Sequence, residues 1–130
     1  MILRFMLVLL LILPLPAMGA EAPVRILELA VTTKVVKGKP IDSVHRISSQ
    51  AVKALFCFSR VASAEDGEGT IKHVWYRNNQ VAAEYELPYK GGRWRTYSKK
   101  PVAPGDAGDW RVEVLDSTGR QLGSLKFRMN

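Results

Sequence analysis

From Arg25 to the end of the chain, hydrophobic and polar positions alternate with a period of two, and no long stretch carries a 3.6-residue period bounded by helix caps. The pattern predicts strands. A first one over residues 25–35 places Leu27, Leu29, Val31 and Val35 on one face, and Lys37-Gly38-Lys39-Pro40 ends it. After the one long irregular stretch, residues 51–61 carry apolar side chains on both faces: Val52, Ala54, Phe56 and Phe58 on one, Leu55, Cys57 and Val61 on the other. Such a strand is covered from both sides, as a central strand or one lying beneath the preceding loop. Residues 70–76 alternate Ile71, His73 and Trp75 against Lys72, Val74 and Tyr76. Asn78-Asn79 then supplies residues that tolerate the left-handed backbone of a tight hairpin. Residues 81–87 direct Val81, Ala83, Tyr85 and Leu87 one way, and Ala82, Glu84 and Glu86 the other. Residues 93–98, 110–115 and 121–129 complete the series, separated by Gly91-Gly92, the 101–109 loop and Asp116-Ser117-Thr118-Gly119.

The final hairpin admits a register test. With Val114 opposite Gly123, Val112 meets Leu125 and Trp110 meets Phe127 on one wholly apolar face, while Glu113 meets Ser124 and Arg111 meets Lys126 on the other. About seven short strands with turn signals between them predict an all-β fold, an antiparallel β-sandwich of immunoglobulin-like type, with a small β-barrel as the alternative. Trp75, Trp94 and Trp110 are all expected to be buried, each on an apolar strand face.

The first residues follow a different rule. Met1 to Arg4 make a short positive start, 5–13 are unbrokenly apolar, and Pro14 and Pro16 precede the small residues Ala17, Gly19 and Ala20. That order is expected of a secretory signal peptide over residues 1–20, with a mature start at Ala20 or Glu21 and a single domain over 21–130. The run is shorter than the roughly 20 residues of a spanning helix, so no integral membrane segment is expected after cleavage. The expected location is periplasmic or secreted, in a bacterium. No cysteine lies near the cut, so no lipid anchor is expected there. Cys57 is the only cysteine and sits between Phe56 and Phe58, which reads as a small buried hydrophobe rather than a nucleophile or an intermolecular bridge.

Three blocks, His73-Val74-Trp75-Tyr76, the segment from Gly91 to Ser98, and the segment from Gly108 to Asp116 with Gly119 beyond it, together resemble a bacterial family, domain of unknown function 2914. The resemblance spans roughly residues 55–127. It implies one β domain, secreted or membrane-attached, and brings no catalytic residues with it.

Charge narrows the partners. The chain has 19 Lys and Arg against 12 Asp and Glu, a net charge of +7, and in an exported protein a basic surface points away from nucleic acid and toward anionic polysaccharide, a lipid headgroup or an envelope protein. Catalytic groups are scarce. There are two histidines, His45 and His73, and no Gly-x-Ser-x-Gly elbow. His73 shares a face with Ile71 and Trp75 and reads as a hydrogen-bonded, partly buried imidazole. No metal-ligand spacing is present, Glu65, Asp66 and Glu68 read as an exposed acidic turn, and no cofactor is expected. Glu84 and Glu86 would project about 7 Å apart from one strand face, a spacing open both to glycoside chemistry and to pairing with arginines. The expectation is a protein that is not an enzyme.

The candidate ligand-binding residues are Lys90, Arg93, Arg95, Tyr97, Lys99 and Lys100. Period two puts Arg93, Arg95, Tyr97 and Lys99 on one face and Trp94, Thr96 and Ser98 on the other. Two readings stand side by side. In one, guanidinium groups grip an anionic polymer, with Tyr97 stacking beside them. In the other, Pro88 opposite Arg93 sets Glu86 beside Arg95 and Glu84 beside Tyr97, and the charges serve sheet pairing. The functional expectation is an exported, non-catalytic module that binds an anionic envelope component or a protein partner; the alternative is a structural or accessory domain of an envelope assembly.

Overall fold

The structure, a computed structural model, describes residues 23–130. The signal segment over 1–20 therefore lies outside the described residues. The elements are β1 (Arg25–Thr32), β2 (Val35–Val36), β3 (Lys39–Pro40), β4 (Arg46–Ile47), β5 (Ala54–Ala62), β6 (Glu68–Arg77), β7 (Gln80–Lys90), β8 (Arg93–Pro101), β9 (Gly108–Leu115) and β10 (Gln121–Met129). The seven long strands are those that the alternation predicts; the additions are the two-residue pieces β2, β3 and β4. No helix among the described residues is long and apolar enough to cross a membrane.

Two sheets face each other, one ordered β1-β5-β8 and the other β4-β10-β9-β6-β7, with β2 and β3 as a separate hairpin. This is a sandwich and not a closed barrel. The long strands pair antiparallel, and only the short β4 runs parallel, to β10. The register of β9 on β10 matches the sequence test pair for pair, including Val114 with Gly123 and Trp110 with Phe127.

The odd-numbered face of β5 meets the odd-numbered face of β6 and the even-numbered face of β9, and two apolar clusters form between the sheets. Val31, Leu55, Cys57, Trp75, Trp110, Val112, Phe127 and Met129 make the larger one; Val24, Val61, Ile71, Tyr89 and Val114 make the smaller. Phe127 stacks on Trp110 at 5.9 Å between centroids and meets Trp75 edge-on at 6.2 Å, geometries that aromatic quadrupoles favour. Cys57 is fully buried in the larger cluster, and desolvation pushes its thiol pKa far up, so it stays a protonated hydrophobe.

Along β5 and β6 the two clusters are separated by one polar layer. Ser59 falls between Cys57 and Val61, and His73 between Trp75 and Ile71. His73 is completely buried, with Nε2 2.7 Å from Ser59 Oγ and Nδ1 2.8 Å from Ser98 Oγ. Ser98 Oγ also accepts the Trp75 indole N–H at 3.1 Å. Two serines from one sheet thus clasp a histidine and a tryptophan of the other. Burial lowers the His73 pKa to about 4, because an imidazolium here would have no carboxylate to meet it.

Four sequence expectations change. The first strand ends at Thr32 rather than 35: Thr32 and Thr33 hydrogen-bond Asp42, and Lys37 and Gly38 take positive φ of 52° and 72°, so the next residues turn into the β2–β3 hairpin. Val81 does not share a face with Ala83, because a bulge between Trp75 and Tyr76 pairs Tyr76 with Val81 and makes Ala82 the extra residue. Val81 is accordingly exposed. The β7–β8 hairpin with Glu86 beside Arg95 does not form: β8 pairs with β5, setting Arg95 opposite Arg60 and Tyr97 opposite Phe58. Finally, Trp75 and Trp110 are buried, but Trp94 is 39% exposed, because it points inward from the free edge of its sheet where no further strand covers it.

The Gly91-Gly92 turn explains the third change. Gly91 takes a φ of 86° and its N–H donates to the Gly67 carbonyl, while the Gly92 carbonyl accepts from Ser63 N–H. The turn is docked on the β5–β6 connection. It delivers β8 to the opposite sheet in place of folding it back on β7.

Candidate functional site

Because β5 is central, its even face makes the middle of the outer surface of the three-stranded sheet, with β1 and β8 on either side. Across from β5, period two turns Arg93, Arg95, Tyr97 and Lys99 outward, as the sequence predicts for one face of this strand. Arg60 of β5 stands directly opposite Arg95, a like-charge neighbour that costs stability in a sheet. Phe56 packs edge-on against Tyr97 at 5.8 Å, and Lys99 Nζ sits 6.0 Å from the Phe56 ring centroid. Over Arg95 lies the tip of the β2–β3 hairpin. An ideal Cβ on Gly38 would be 3.7 Å from Arg95 Cδ, an ordinary van der Waals contact, so the turn closely approaches that side chain.

Not all six predicted residues share this surface. Lys90 stands opposite Glu68 at the end of the other sheet, across the Gly91-Gly92 turn. Lys100 belongs to the inward parity of β8: its Nζ donates to the Pro101 carbonyl at 2.8 Å and lies 5.8 Å from the Trp110 ring centroid. Two residues that the sequence reading leaves out take their place. Arg60 and Phe56 were legible as the even face of a strand, but only the β5–β8 pairing puts them beside the stripe.

The cations clustered on this face lack acids that four other arginines have, although Arg25 and Arg46 also show no ion pair among the described residues. Arg77, Arg111, Arg120 and Arg128 each have a carboxylate within 4.0 Å, from Asp106, Glu113, Asp116 and Asp109 respectively. Among the described residues Arg93, Arg95 and Lys99 have none. Arg60 has Glu28, but at 3.7 Å from Nε, which is an ion pair too long for a hydrogen bond. Its Nε–H is buried without a hydrogen-bond partner among the described residues. Arg60, Arg93, Trp94 and Arg95 together line one shallow groove.

Elsewhere the surface offers less chemistry. A depression larger than that groove is lined by His45, Asn78, Asn79, Asp109, Trp110, Arg111, Lys126, Phe127 and Arg128, yet most of its polar groups are spent on one another: Asn79 accepts from Arg111, Asn78 accepts from Asp109 N–H, and Arg128 pairs with Asp109. His73 has no access to solvent. Among the described residues no three His, Cys, Asp or Glu side chains group as metal ligands.

Residues 68–129 match the family of proteins of unknown function DUF2914. The matched segment begins at β6 and runs to the end of β10, so it contains His73, the three tryptophans and all of β8, while Arg60 and the rest of β5 precede it. The resemblance drawn from the Trp-centred blocks is borne out over this range. Among solved structures, an immunoglobulin-like protein from Pseudomonas aeruginosa is similar, with a TM-score of 0.53 and 16% identity over 86% of this chain and 100% of that one. At that identity the likeness concerns the fold alone, which is immunoglobulin-like. No curated protein matches the chain.

Proposed function

We propose that this chain is an exported, non-catalytic DUF2914 module that binds an anionic component of the cell envelope through the outer face of β1-β5-β8. One observation carries the reading: Arg93, Arg95 and Lys99 project together from that face beside an exposed Tyr97, without a carboxylate partner among the described residues, whereas Arg77, Arg111, Arg120 and Arg128 are each paired. Unpaired guanidiniums next to one another are held at a cost in self-repulsion, and a bound polyanion repays it with charge-assisted hydrogen bonds. The signal-like order of residues 1–20 supports export, and for an exported protein lipopolysaccharide phosphates, anionic lipids and acidic polysaccharides are the available polyanions.

Sedimentation with lipopolysaccharide and with phosphatidylglycerol vesicles at low and high salt tests it. Binding should fall steeply with ionic strength, since screening acts within about 8–10 Å at ordinary salt, and R93E/K99E should abolish it with the fold intact. Binding that survives both salt and reversal, or none to either surface, overturns the proposal in favour of a structural module of an envelope assembly.

A further inference from the structure

We infer that the groove between β5 and β8 is a phosphomonoester site, with Arg60, Arg93 and Arg95 as its ligands and Trp94 as its wall. The inference rests on the reading of this face as an anion-binding surface and gives it a centre and a chemistry. Arg60 and Arg95 are cross-strand partners, about 5 Å apart at Cα, and Arg93 follows Arg95 on the same face about 7 Å along the strand. All three residues line one groove, together with Trp94.

Three features distinguish that groove from a merely solvated basic patch. The Arg60 Nε–H is buried and unpartnered, a donor that the fold withdraws from water without supplying an acceptor. Glu28, the acid nearest to it, stands at 3.7 Å on the β1 side and leaves Arg93 and Arg95 uncompensated. Arg95 lies beneath the tip of the β2–β3 hairpin, where a Cβ added at Gly38 would stand in ordinary contact with it, 3.7 Å from Cδ. The positive φ of 72° at Gly38 means that a residue with a Cβ would strain that turn.

The number of cations selects the anion. A carboxylate carries one charge and two coplanar oxygens, which a single guanidinium fork satisfies. A phosphomonoester carries about 1.5 to 2 negative charges at neutral pH and three terminal oxygens that point away from one plane, so it can engage two or three forks at once. Trp94, of opposite parity to the arginines, lines the groove from the free edge of the sheet, and it is the one exposed tryptophan of the three. The same group occurs on lipid headgroups and on soluble phosphorylated molecules.

Trp94 is also the reporter, because Trp75 and Trp110 are buried away from the groove. Protein purified after expression of the full-length chain is titrated with inorganic phosphate, glycerol 3-phosphate, acetate, and vesicles of phosphatidate or phosphatidylglycerol, following tryptophan emission. Phosphate and glycerol 3-phosphate should change the emission saturably and acetate should not. W94F should remove the change, and R95Q and R60Q should each weaken binding by about tenfold or more. R95Q keeps the test sound if R60Q misfolds, since Arg95 is exposed. A response to phosphatidate vesicles exceeding that to glycerol 3-phosphate assigns the group to a lipid, and the reverse to a soluble phosphate. No Trp94 response to any phosphate, an equal response to acetate, or full binding in R95Q overturns the inference. Vesicle binding lost in R93E/K99E yet unaltered in R60Q and R95Q overturns it alone and leaves the anionic face standing, whereas phosphate binding without envelope binding removes the wider reading and keeps the groove.

Discussion

The polar layer inside the sandwich and the charged layer on its outer face obey opposite rules. Inside, His73 has a serine at each ring nitrogen and the Trp75 indole shares one of them, so the layer costs the core little although it interrupts two apolar clusters. Outside, Arg60 stands opposite Arg95, a buried guanidinium N–H lacks an acceptor, and three neighbouring cations lack acids among the described residues. The fold thus spends its hydrogen-bonding partners on its interior and leaves the outer face of one sheet unsatisfied. Where polar groups serve folding they are matched, and the unmatched ones are those to ask about ligands.

The largest effects should come from the interior. Replacing Trp75 or Trp110 by Ala removes a fully buried ring and leaves a cavity, with an expected loss of about 3 to 5 kcal/mol measured by urea unfolding. That is a large share of the stability of a small domain. The same change at Trp94 should cost less than half as much, because the ring is partly exposed at a sheet edge. Equal losses at all three positions would contradict the edge assignment.

A smaller but more specific effect follows from pH. The His73 pKa lies near 4 in the fold against an ordinary 6.5, so between those values the unfolded chain takes up a proton that the folded one refuses. Stability is therefore full above pH 6.5 and declines as pH falls toward 4, by about 3 kcal/mol in all. H73Q should flatten that decline. Asp42 and Asp116 do not confuse the window, since hydrogen bonds hold both below their ordinary 3.8: at Asp42 they outweigh an opposing burial effect, and at Asp116 the Thr118 hydroxyl leads. Both act only at lower pH.

Much of this was legible because parity is local. Alternation alone places Arg93, Arg95, Tyr97 and Lys99 on one face and His73 with Trp75 on another, and the β9–β10 register followed from making one face wholly apolar. Partner choice is not local. Gly91-Gly92 reads as a hairpin turn, and only its docking onto Ser63 and Gly67 sends β8 to β5. For the same reason alternation does not join Arg60 to the stripe, it sets Glu86 beside Arg95 and Glu84 beside Tyr97 where the fold has Lys72 and Val74, and it does not assign Ser59 and Ser98 to His73. Alternation puts Val81 on the face of Ala83 because a bulge shifts parity by one residue without leaving a mark in the pattern.

The corrected pairing makes the smallest predicted effect an informative one. R95E would be destabilising if Arg95 were paired with Glu86; opposite Arg60 it should instead leave the unfolding free energy within about 0.5 kcal/mol of wild type, or raise it slightly by relieving repulsion. A loss above about 1 kcal/mol in thermal unfolding would show that Arg95 has an acidic partner after all.

Thermal unfolding with and without lipopolysaccharide, on wild type and on R93E/R95E, tests the separation of fold from binding surface most directly. A ligand at about 100 times its dissociation constant stabilises the folded state by about 2.7 kcal/mol. The account predicts the same melting temperature for both proteins alone, and a rise on adding lipopolysaccharide for wild type only. A double variant that melts well below wild type without ligand, or one that gains the same rise with it, would contradict the claim that the unmatched charges of β8 serve binding and not the fold.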